Sequence, residues 1–490
     1  MKRVLAFDLG ASNGRLILGE YENRKLNITE IHRFQNNPIT IGDHLHWDLN
    51  YLFTEMKKGI KKFVEVYGKR IDGIGFDTWG VDFGLISEEG DLLENPYSYR
   101  DTHTVLFMDE VHEKIDKKKL FQMTGVEPAA INTLYQLYAI LKTRPELIEK
   151  AKYILMTPSL FAYLFTGEIK NEFTISSTSQ LLNWEKKDWD ETILNKLFAD
   201  KVNFAPLAET NRILAKTKAS INKELGIDPA NVIAVPGHDT ACALGAMPIQ
   251  NDQTSCFMSC GTWVLIGVTV EKPVVSDEAY EWGFTNEGTF DGKFRLQKNN
   301  TGLWFIQQCK KEWNDNGEGI SYEEESRLIE EAEPFRSFIN PNDPSFFNPP
   351  SMLKAIQDYC QKTLQPIPET KGQFLRCILE SLAFQYRFVI ERLENLIHHN
   401  IRSIHMGGGG IQNKWFCRFI AGAAKRTVYA GPVEASAIGN MLSQLIALGE
   451  IADLEEARKI VTNSFSFKTY EPENCDHWEK HYKSFLAIIK

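Results

Sequence analysis

The residues best placed for chemistry in this sequence lie near its start, where an aspartate ends a predicted strand. Asp8 closes the apolar run 4–7, and a turn rich in small residues, 9–15, leads into a second apolar run at 16–18. Such a turn exposes backbone N–H groups that suit a phosphate, and a neighbouring carboxylate suits the Mg²⁺ that accompanies nucleotide phosphates. The same pattern is also typical of an ordinary hairpin, so other parts of the chain must decide.

Two further glycine-containing turns follow predicted strands in the second half of the chain. The turn 260–262 separates predicted strands 254–259 and 264–268, and four glycines, 407–410, lie between a predicted strand and a predicted helix. Glycines let a base or a phosphate approach the backbone closely. A glycine run is equally consistent with a simple turn, but three such turns together favour a nucleotide held in a cleft between two lobes. The P-loop and G-x-G-x-x-G patterns are not matched.

A single aspartate, Asp239, is our candidate for a catalytic base. It follows the predicted strand 231–235 and opens the predicted helix 240–247. A carboxylate fixed at a helix start can accept a proton from a substrate hydroxyl as that oxygen attacks the terminal phosphate of ATP. Taken alone, such a residue is more typical of a helix N-cap, and His238 beside it is more typical of a packing or hydrogen-bonding residue.

Length and composition favour a soluble protein of two domains. The 490 residues exceed what one hydrophobic core usually supports, and 43% apolar with 24% charged residues is ordinary for a folded chain. A net charge of −10 argues against a nucleic-acid partner, which requires a basic surface. No signal-peptide pattern and no apolar run of membrane-spanning length is present, so we expect a cytoplasmic protein without a membrane partner. The eight cysteines lack paired metal-binding spacing, and we expect reduced thiols, including Cys360 and Cys377.

Strand-like and helix-like segments alternate along the chain, which predicts an α/β fold. Besides the segments already given, we predict strands at 72–77, 81–86 and 401–406, helices at 50–67, 374–397 and 413–425, a helical pattern over 134–165 with breaks at 144–145 and 157–158, and surface loops at 310–325 and 338–350. The strand–turn–strand unit of residues 4–18 recurs near 254–268, which suggests two related halves. We therefore predict two domains, 1–245 and 246–490.

Together these segments resemble the sugar kinases related to glycerol kinase and xylulokinase, within the wider group that includes hexokinase, actin and Hsp70. The likeness is greatest to the bacterial rhamnulokinases and extends nearly from end to end. The matching segments are FDLGASNGR (7–15), DTWGVDF (77–83), YRD (99–101), NTLYQL (132–137), HDTA (238–241), GTW (261–263), GLW (302–304), GGG (408–410) with QN (412–413), and AGPVEA (430–435). The resemblance implies two ribonuclease H-like domains of the actin and hexokinase type that flank an interdomain cleft. The domain 1–245 would carry the sugar site and the first phosphate loop, and the domain 246–490 would bind the nucleotide.

The resemblance also implies a reaction, in which Mg²⁺-ATP phosphorylates L-rhamnulose at O1 to give L-rhamnulose 1-phosphate during L-rhamnose catabolism. The residues implied to contact ATP are Ala11, Ser12, Asn13, Gly14, Arg15, Thr262, Asn299, Gln307 and Gly409. Those implied to face the sugar are Gly80, His238, Asp239 and Thr240, with Asp239 as the general base. Asp8 is implied to hold the Mg²⁺ through water.

The chain departs from the family pattern at three small residues near these segments. Cys260 stands where relatives tend to have a serine, Gly407 extends the glycine run by one residue, and Gly237 precedes the histidine where relatives have a serine. In the segment 77–83, Trp79 and Asp82 are equally consistent with a sugar pocket and with a core residue and a turn residue.

Two other functions are consistent with these motifs. One is a kinase of the same family that acts on another ketose, such as fuculose or xylulose. The other is an actin- or Hsp70-like ATPase, for which we find no added β-rich peptide-binding segment after the second lobe. The sequence leaves the choice between a monomer and a homodimer open.

Overall fold

A computed structural model of the protein describes residues 1–199 and 201–489, and these residues form two compact units. The first unit consists of Met1–Pro248, Thr269–Leu296 and Glu434–Phe465, and the second of Ile249–Val268, Gln297–Val433 and the chain from Ser466 onwards. Each unit is thus assembled from separate stretches of sequence. The predicted boundary between residues 245 and 246 stays a prediction.

Strands and helices are numbered in chain order. The strands are β1 (Lys2–Leu9), β2 (Asn13–Glu22), β3 (Lys25–Gln35), β4 (Ile39–Ile41), β5 (His44–His46), β6 (Gly73–Thr78), β7 (Phe83–Ile86), β8 (Tyr153–Met156), β9 (Asn171–Glu172), β10 (Leu182–Asn183), β11 (Asp188–Trp189), β12 (Leu207–Ala208), β13 (Arg212–Lys216), β14 (Asn231–Ala234), β15 (Ser255–Cys260), β16 (Trp263–Val270), β17 (Thr285–Gly288), β18 (Phe294–Thr301), β19 (Ser403–Gly407), β20 (Thr427–Ala430) and β21 (Lys468–Tyr470). The helices are α1 (Leu49–Tyr67), α2 (Met108–Lys114), α3 (Lys117–Thr124), α4 (Thr133–Thr143), α5 (Pro145–Lys150), α6 (Thr157–Thr166), α7 (Phe173–Ser176), α8 (Glu191–Phe198), α9 (Ala219–Leu225), α10 (Asp239–Gly245), α11 (Asp277–Glu281), α12 (Trp304–Asp315), α13 (Tyr322–Glu331), α14 (Met352–Lys362), α15 (Lys371–Ile397), α16 (Lys414–Ala424), α17 (Ala435–Ala447), α18 (Leu454–Ser464) and α19 (Cys475–Ile488). Short 3₁₀ turns lie at Val105–Phe107, Ser177–Ser179, Asp252–Thr254, Pro344–Phe346 and Gly409–Gln412.

The main sheet of the first unit has the strand order β13-β14-β6-β1-β2-β3. Strands β1 and β2 form the predicted antiparallel hairpin, whereas β1, β6 and β14 run parallel to one another. The carboxyl ends of parallel strands meet at one edge of a sheet, and Asp8 is here the register partner of Asp77. An isolated parallel bridge between Thr78 and His238 brings the segment before Asp239 to the same edge.

Apolar side chains of this sheet form the core of the first unit. Phe7 of β1 stacks on Phe76 of β6 with ring centroids 5.3 Å apart, and both pack against Phe165 of α6. Helix α1 begins after Asp48, whose carboxylate accepts the N–H of Tyr51, and buries a stripe of apolar side chains against the sheet. Full burial of one such side chain contributes about 1.5–3 kcal/mol.

The second unit contains β15, β19, β20 and β21 whole and the greater part of β16 and β18, in the strand order β18-β16-β15-β19-β20-β21. Strands β15 and β16 are antiparallel, and β15, β19 and β20 are parallel. The hairpin pattern of β1 and β2 therefore recurs here, as the sequence predicts. The long helix α15 begins at a capping box, in which Thr370 and Gln373 bond each other's backbone, and buries an apolar stripe along its length.

Two predictions in the first unit require correction. The predicted strand 81–86 begins only at Phe83, because Val81 has a left-handed backbone with φ +69°. The N–H of Val81 donates to Thr178 and its carbonyl accepts from Thr133, and these bonds hold a conformation that costs about 1–3 kcal/mol. The helical pattern predicted over 134–165 is interrupted by β8, which pairs antiparallel with β7.

The predicted surface loop at 310–325 is confirmed only for residues 316–321, and the flanking residues are helical. Helix α12 continues to Asp315, and α13 begins directly after Ser321, whose hydroxyl accepts the N–H of Glu324. The acidic residues that suggested a loop form the first turn of α13, where negative charge is favourable. The other predicted loop, 338–350, is irregular apart from one 3₁₀ turn.

Among the described residues, none of the helices combines the length and the apolar character that crossing a membrane requires.

Candidate active site

Three aspartates of the first unit converge at the carboxyl edge of its sheet. Asp8 and Asp77 lie on adjacent strands and are buried, and Asp239 is the first residue of α10. The side chain of Asp239 is 32% exposed, so it is the most accessible of the three. Burial raises the pKa of Asp8, and the negative charge of Asp239 adds to this effect. The three groups are therefore close enough to influence one another's ionisation.

The Asp8 carboxylate is bonded by Arg15, which stands opposite it in the β1–β2 hairpin. Arg15 donates from Nη2 to Asp8 Oδ2 at 2.5 Å and from Nη1 to the carboxylate of Glu434. The Arg15 Nε atom is buried and has no hydrogen-bond partner among the described residues. Asp8, Arg15 and Glu434 thus form one charged network within the first unit.

The second buried carboxylate, Asp77, is only partly satisfied. Asn440 of α17 donates to Asp77 Oδ2 at 2.6 Å, whereas Oδ1 is buried without a hydrogen-bond partner among the described residues. Burial raises the pKa of Asp77 well above its usual range, and the charge of Asp8 contributes. An orphaned carboxylate oxygen beside Asp8 is a ligand that a divalent cation would accept.

This donor set fits Mg²⁺ rather than a metal held by protein alone. Across residues 1–199 and 201–489, no group of three or more His, Cys, Asp or Glu side chains is placed to hold a metal ion. Mg²⁺ is usually bound by one or two protein carboxylates and completes its shell with waters and nucleotide phosphates. Asp8 and Asp77 supply two carboxylates of that kind.

The four residues predicted to face the sugar lie together around the start of α10. Thr240 donates from Oγ1 to Asp239 Oδ1 at 3.0 Å, and His238 Nε2 lies 3.4 Å from the same oxygen. A Cβ atom at Gly80 would lie 3.5 Å from His238 Nε2. The structure therefore brings Gly80, His238, Asp239 and Thr240 into one cluster.

The backbone before Asp239 is fixed by two hydrogen bonds. Thr78 N–H donates to the Gly237 carbonyl at 2.9 Å, and Gly237 N–H donates to Glu172 Oε2 at 2.8 Å. Glu172 is buried, and its burial raises its pKa. The carboxylate of Asp239 is thereby carried on a rigid stretch of chain.

The turn between β1 and β2 has the shape of an open cradle. Gly10 N–H donates to the Asn13 carbonyl at 2.9 Å, and Asn36 donates to the Gly10 carbonyl at 2.8 Å. Ser12 and Asn13 are exposed, and the N–H groups of Ala11 and Ser12 have no partner within the described part of the chain. These free donors are suited to a phosphate.

A second hairpin turn lies between β15 and β16 of the second unit. Gly261 N–H donates to the Trp263 carbonyl at 2.9 Å, and Thr262 donates from Oγ1 to Gln307 Oε1 at 3.2 Å. Two of the predicted nucleotide contacts, Thr262 and Gln307, are thus neighbours, and Asn299 is exposed on β18. Each unit therefore has a hairpin turn after its corresponding strand, but the turn of the second unit is one residue shorter than that of the first.

The glycine run after β19 packs onto the same turn of the second unit. Gly408 has φ +89°, and a Cβ atom there would lie 2.7 Å from the Cys260 carbonyl oxygen, so only glycine fits. A Cβ atom at Gly409 would meet nothing within 4 Å. Gly409 therefore offers open backbone, which a flat base could approach.

Comparison with known proteins matches both halves of the chain to one protein family. The FGGY family of carbohydrate kinases matches through its N-terminal domain at residues 3–245 and through its C-terminal domain at residues 256–448. The rhamnulokinase of Bacteroides thetaiotaomicron is 38% identical over 489 residues and covers 100% of both chains. The rhamnulokinase of Halalkalibacterium halodurans is 40% identical, covering 96% of this chain and 99% of the relative.

The chain belongs to the FGGY family of carbohydrate kinases. Its rhamnulokinase relative from Bacillus subtilis is 38% identical and covers 96% of both chains. This membership confirms the family resemblance seen in the motifs and the interpretation as an ATP-dependent carbohydrate kinase, which uses a sugar and ATP as substrates.

Solved structures of a xylulose kinase and a glycerol kinase show the same fold. The ligand-bound xylulose kinase of Lactobacillus acidophilus matches with a TM-score of 0.81 at 16% identity, covering 100% of this chain and 98% of that one. The Plasmodium falciparum glycerol kinase with ADP matches with a TM-score of 0.78 at 15% identity, covering 99% and 97%. The predicted α/β class with two domains of the actin and hexokinase type is confirmed.

Two of the three expected departures from the family pattern, Gly237 and Cys260, can be interpreted from the structure. A Cβ atom at Gly237 would lie 2.9 Å from Pro158 and 3.0 Å from Ile175, so this tight backbone excludes a serine. The Cys260 thiol is buried, and burial raises its pKa well above the usual range, so it is not a reactive group of the turn. Nothing in the structure explains the additional Gly407.

In the kinase, Trp79 and Asp82 are core residues rather than a sugar pocket. Asp82 is fully buried and accepts hydrogen bonds from Trp47 Nε1 at 2.6 Å, Trp79 Nε1 at 2.8 Å and Gln136 Nε2 at 2.8 Å. Both carboxylate oxygens are therefore occupied by protein donors. The interpretation of Asp82 as an acceptor for sugar hydroxyls finds no support.

Sequence reasoning missed several residues of this site. Asp77 and Glu434 both stood in recognised motifs, 77–83 and 430–435, but neither was given a role. Glu172, Glu287 and Asn440 gave no signal, because each acts through contacts with residues far away in the chain.

Proposed function

We propose that this kinase transfers the terminal phosphate of ATP to O1 of L-rhamnulose, giving L-rhamnulose 1-phosphate, with Asp239 as the general base. The substrate is supported by relatives named rhamnulokinase that match from end to end at 37–40% identity. The catalytic role is supported by one observation, the position of Asp239. It is the most exposed carboxylate of an acidic cluster and is carried on a fixed helix start.

In this mechanism the O1 hydroxyl oxygen attacks the terminal phosphorus, and the bond between phosphorus and the leaving oxygen of ADP breaks. The hydroxyl proton moves to a carboxylate oxygen of Asp239. Thr240 bonds Oδ1 of this carboxylate, which fixes its orientation toward the substrate. A positioned base of this kind contributes typically 10²–10⁴-fold to the rate.

In the first unit, the free amides of Ala11 and Ser12 would bind phosphate. In the second unit, the turn at Thr262 would bind phosphate, and the open backbone of Gly409 would accept a flat base. Asp8 and Asp77 would hold Mg²⁺, which supplies positive charge to the phosphates when bound. Arg15 would release its hydrogen bond to Asp8 or to Glu434 and donate a hydrogen bond to a phosphate instead.

The base assignment is tested with Asp239→Asn. We expect kcat to fall by about 10²–10⁴-fold, while the affinity for ATP changes little, because the amide keeps the shape but cannot accept the proton. Asp48→Asn, which alters another aspartate at a helix start, is the matched control and should keep full activity. Full activity of Asp239→Asn would overturn the assignment.

The sugar is tested with a panel of L-rhamnulose, L-fuculose and D-xylulose in an assay that couples ADP release to NADH oxidation. We expect the highest kcat/KM for L-rhamnulose, with ³¹P–¹³C coupling placing the phosphate on O1. A tenfold or greater preference for xylulose would overturn the substrate assignment.

A further inference from the structure

A buried network lies behind the proposed base and includes two residues to which the sequence gave no role. It consists of His238, Glu287 on β17 and Arg295 near the start of β18, all within the first unit. The Arg295 side chain is fully buried, and those of Glu287 and His238 are each 12% exposed. The mechanism proposed above does not use Glu287 or Arg295.

Arg295 is bonded on three sides. Its Nη1 donates to the Gly288 carbonyl, and its Nη2 contacts both the carboxylate of Glu287 and His238 Nδ1, the latter at 2.5 Å. Burial alone would raise the pKa of Glu287, but the charge of the adjoining Arg295 guanidinium outweighs it and lowers this pKa to about 2. Glu287 is therefore ionised and neutralises the buried guanidinium.

This arrangement determines which nitrogen of His238 carries the proton. Arginine stays protonated and can only donate, so the ring nitrogen that it contacts must provide a lone pair. A proton on Nδ1 could reach Glu287 Oε2 at 3.1 Å, but it would then lie against the Arg295 N–H. Nδ1 is therefore the acceptor, and the proton of the neutral ring lies on Nε2.

The protonated nitrogen faces the sugar side of the cluster. His238 Nε2 lies 3.4 Å from Asp239 Oδ1 and 3.5 Å from the position that a Cβ atom of Gly80 would occupy. Because residue 80 is a glycine, that space is left open. A sugar oxygen next to the one that loses its proton to Asp239 could accept the Nε2–H there.

We propose that Glu287 and Arg295 are positioning residues that hold His238 as the Nε2–H tautomer, so that it donates a hydrogen bond to a sugar oxygen beside Asp239. This inference rests on the proposed function, because it takes Asp239 as the base and the cluster as the sugar site. It assigns the two residues a role in sugar recognition, although neither touches the sugar.

The tautomer is tested by ¹⁵N NMR of the full-length protein labelled at its histidines, with the His238 signals assigned from their loss in His238→Gln. We expect Nε2 to carry the proton and Nδ1 to show the shift of an unprotonated nitrogen. In Glu287→Gln we expect this preference to weaken. A proton on Nδ1 in the unaltered protein would overturn the proposal, whatever the activity of the variants.

The effect on recognition is tested by the steady-state kinetics of Glu287→Gln. We expect kcat/KM for the sugar to fall about 10- to 100-fold, mainly through KM, the effect of one lost or misdirected hydrogen bond. The KM for ATP should stay within about twofold. Arg295→Lys, which keeps the charge, should lose less than Arg295→Met.

Glu55→Gln is the matched control, since Glu55 bonds His32 at 2.7 Å and the two side chains are 10% and 11% exposed. This pair belongs to the same unit but not to the cluster around Asp239. Thermal unfolding of each variant separates a folding defect from a kinetic one. Equal sugar KM values for folded Glu287→Gln and Glu55→Gln would overturn the inference. Full activity of Asp239→Asn would instead overturn the proposed function.

Discussion

Among single residues, Asp82 links the burial of a carboxylate to the stability of the fold. Burial raises its pKa to about 6, although Gln136, Trp47 and Trp79 donate to it and lower the value. The folded carboxyl group therefore holds its proton more tightly than the unfolded one, whose pKa is about 3.9. Its contribution to stability is fully present below about pH 4 and is lost as the pH rises through about 6.

Asp82→Asn removes this titration and tests it. The quantity to compare is the loss in the free energy of unfolding that Asp82→Asn causes at each pH. We expect this loss to be about 1 kcal/mol larger at pH 5 than at pH 7. The measurement is urea denaturation followed by tryptophan fluorescence, because Trp47 and Trp79 both contact residue 82. A difference that is the same at both pH values would contradict the raised pKa.

Individual residues of the site can be predicted from the sequence only where a local pattern, such as a predicted strand, fixes their position. Asp8 and Asp239 follow predicted strands, so their placement at a sheet edge can be predicted. Glu434 cannot be found in this way, because it bonds Arg15 across 419 positions of the chain. Likewise, the bond of Asn440 to Asp77 spans 363 positions. Such contacts depend on tertiary packing, which leaves no local signature.

At the scale of elements, the position of the proposed base depends on the packing of two helices. Helices α10 and α17 lie against each other in the first unit. A Cβ atom at Gly439 would lie 1.8 Å from the Cys242 carbonyl oxygen, closer than any side chain allows. The backbones therefore touch at this glycine. Because α10 begins with Asp239, a change at Gly439 would move the base.

We accordingly expect Gly439→Ala to lower the free energy of unfolding by about 3 kcal/mol or more, since overpacking here is met by backbone and not by a flexible side chain. Activity at a temperature where the variant is folded should fall as well. Gly59→Ala in α1 is the control, because the nearest atom there is the end of the Leu16 side chain at 2.9 Å, which can move. Equal losses in both variants would contradict this account of the contact.

Elements with a clear period were predictable, and those that depend on context were not. The hairpin of β1 and β2 follows two apolar runs joined by a turn of small residues, and helix α15 follows a helical pattern. Both were found from sequence. Strand β8 has four residues inside a long apolar stretch, where strand and helix patterns cannot be told apart. Helix α13 was missed because its acidic first turn resembles a loop, although Glu325 is buried and bonds Lys310.

At the scale of the whole molecule, the first unit is completed by a late segment of the chain. Helix α17, which lies in Glu434–Phe465, packs on β1 and β6. Gln444 donates to the Leu5 carbonyl at 2.9 Å, and Asn440 donates to Asp77. Sequence patterns do not indicate that residues 434–465 belong to the first unit. Two domains that follow one another along the chain would need only a single domain boundary, which is what the sequence analysis predicted.

A fragment that ends at Pro248 tests how far the first unit depends on this segment. It lacks the buried side chains of Ile438, Met441, Leu442 and Leu445, which together contribute on the order of 6–12 kcal/mol. That is as much as the whole free energy of unfolding of a typical domain. We therefore expect residues 1–248 alone to show no cooperative thermal transition by circular dichroism. Joining residues 434–465 to the fragment through a flexible linker should restore part of the transition, whereas a sharp transition in the fragment itself would show that the sheet does not need α17.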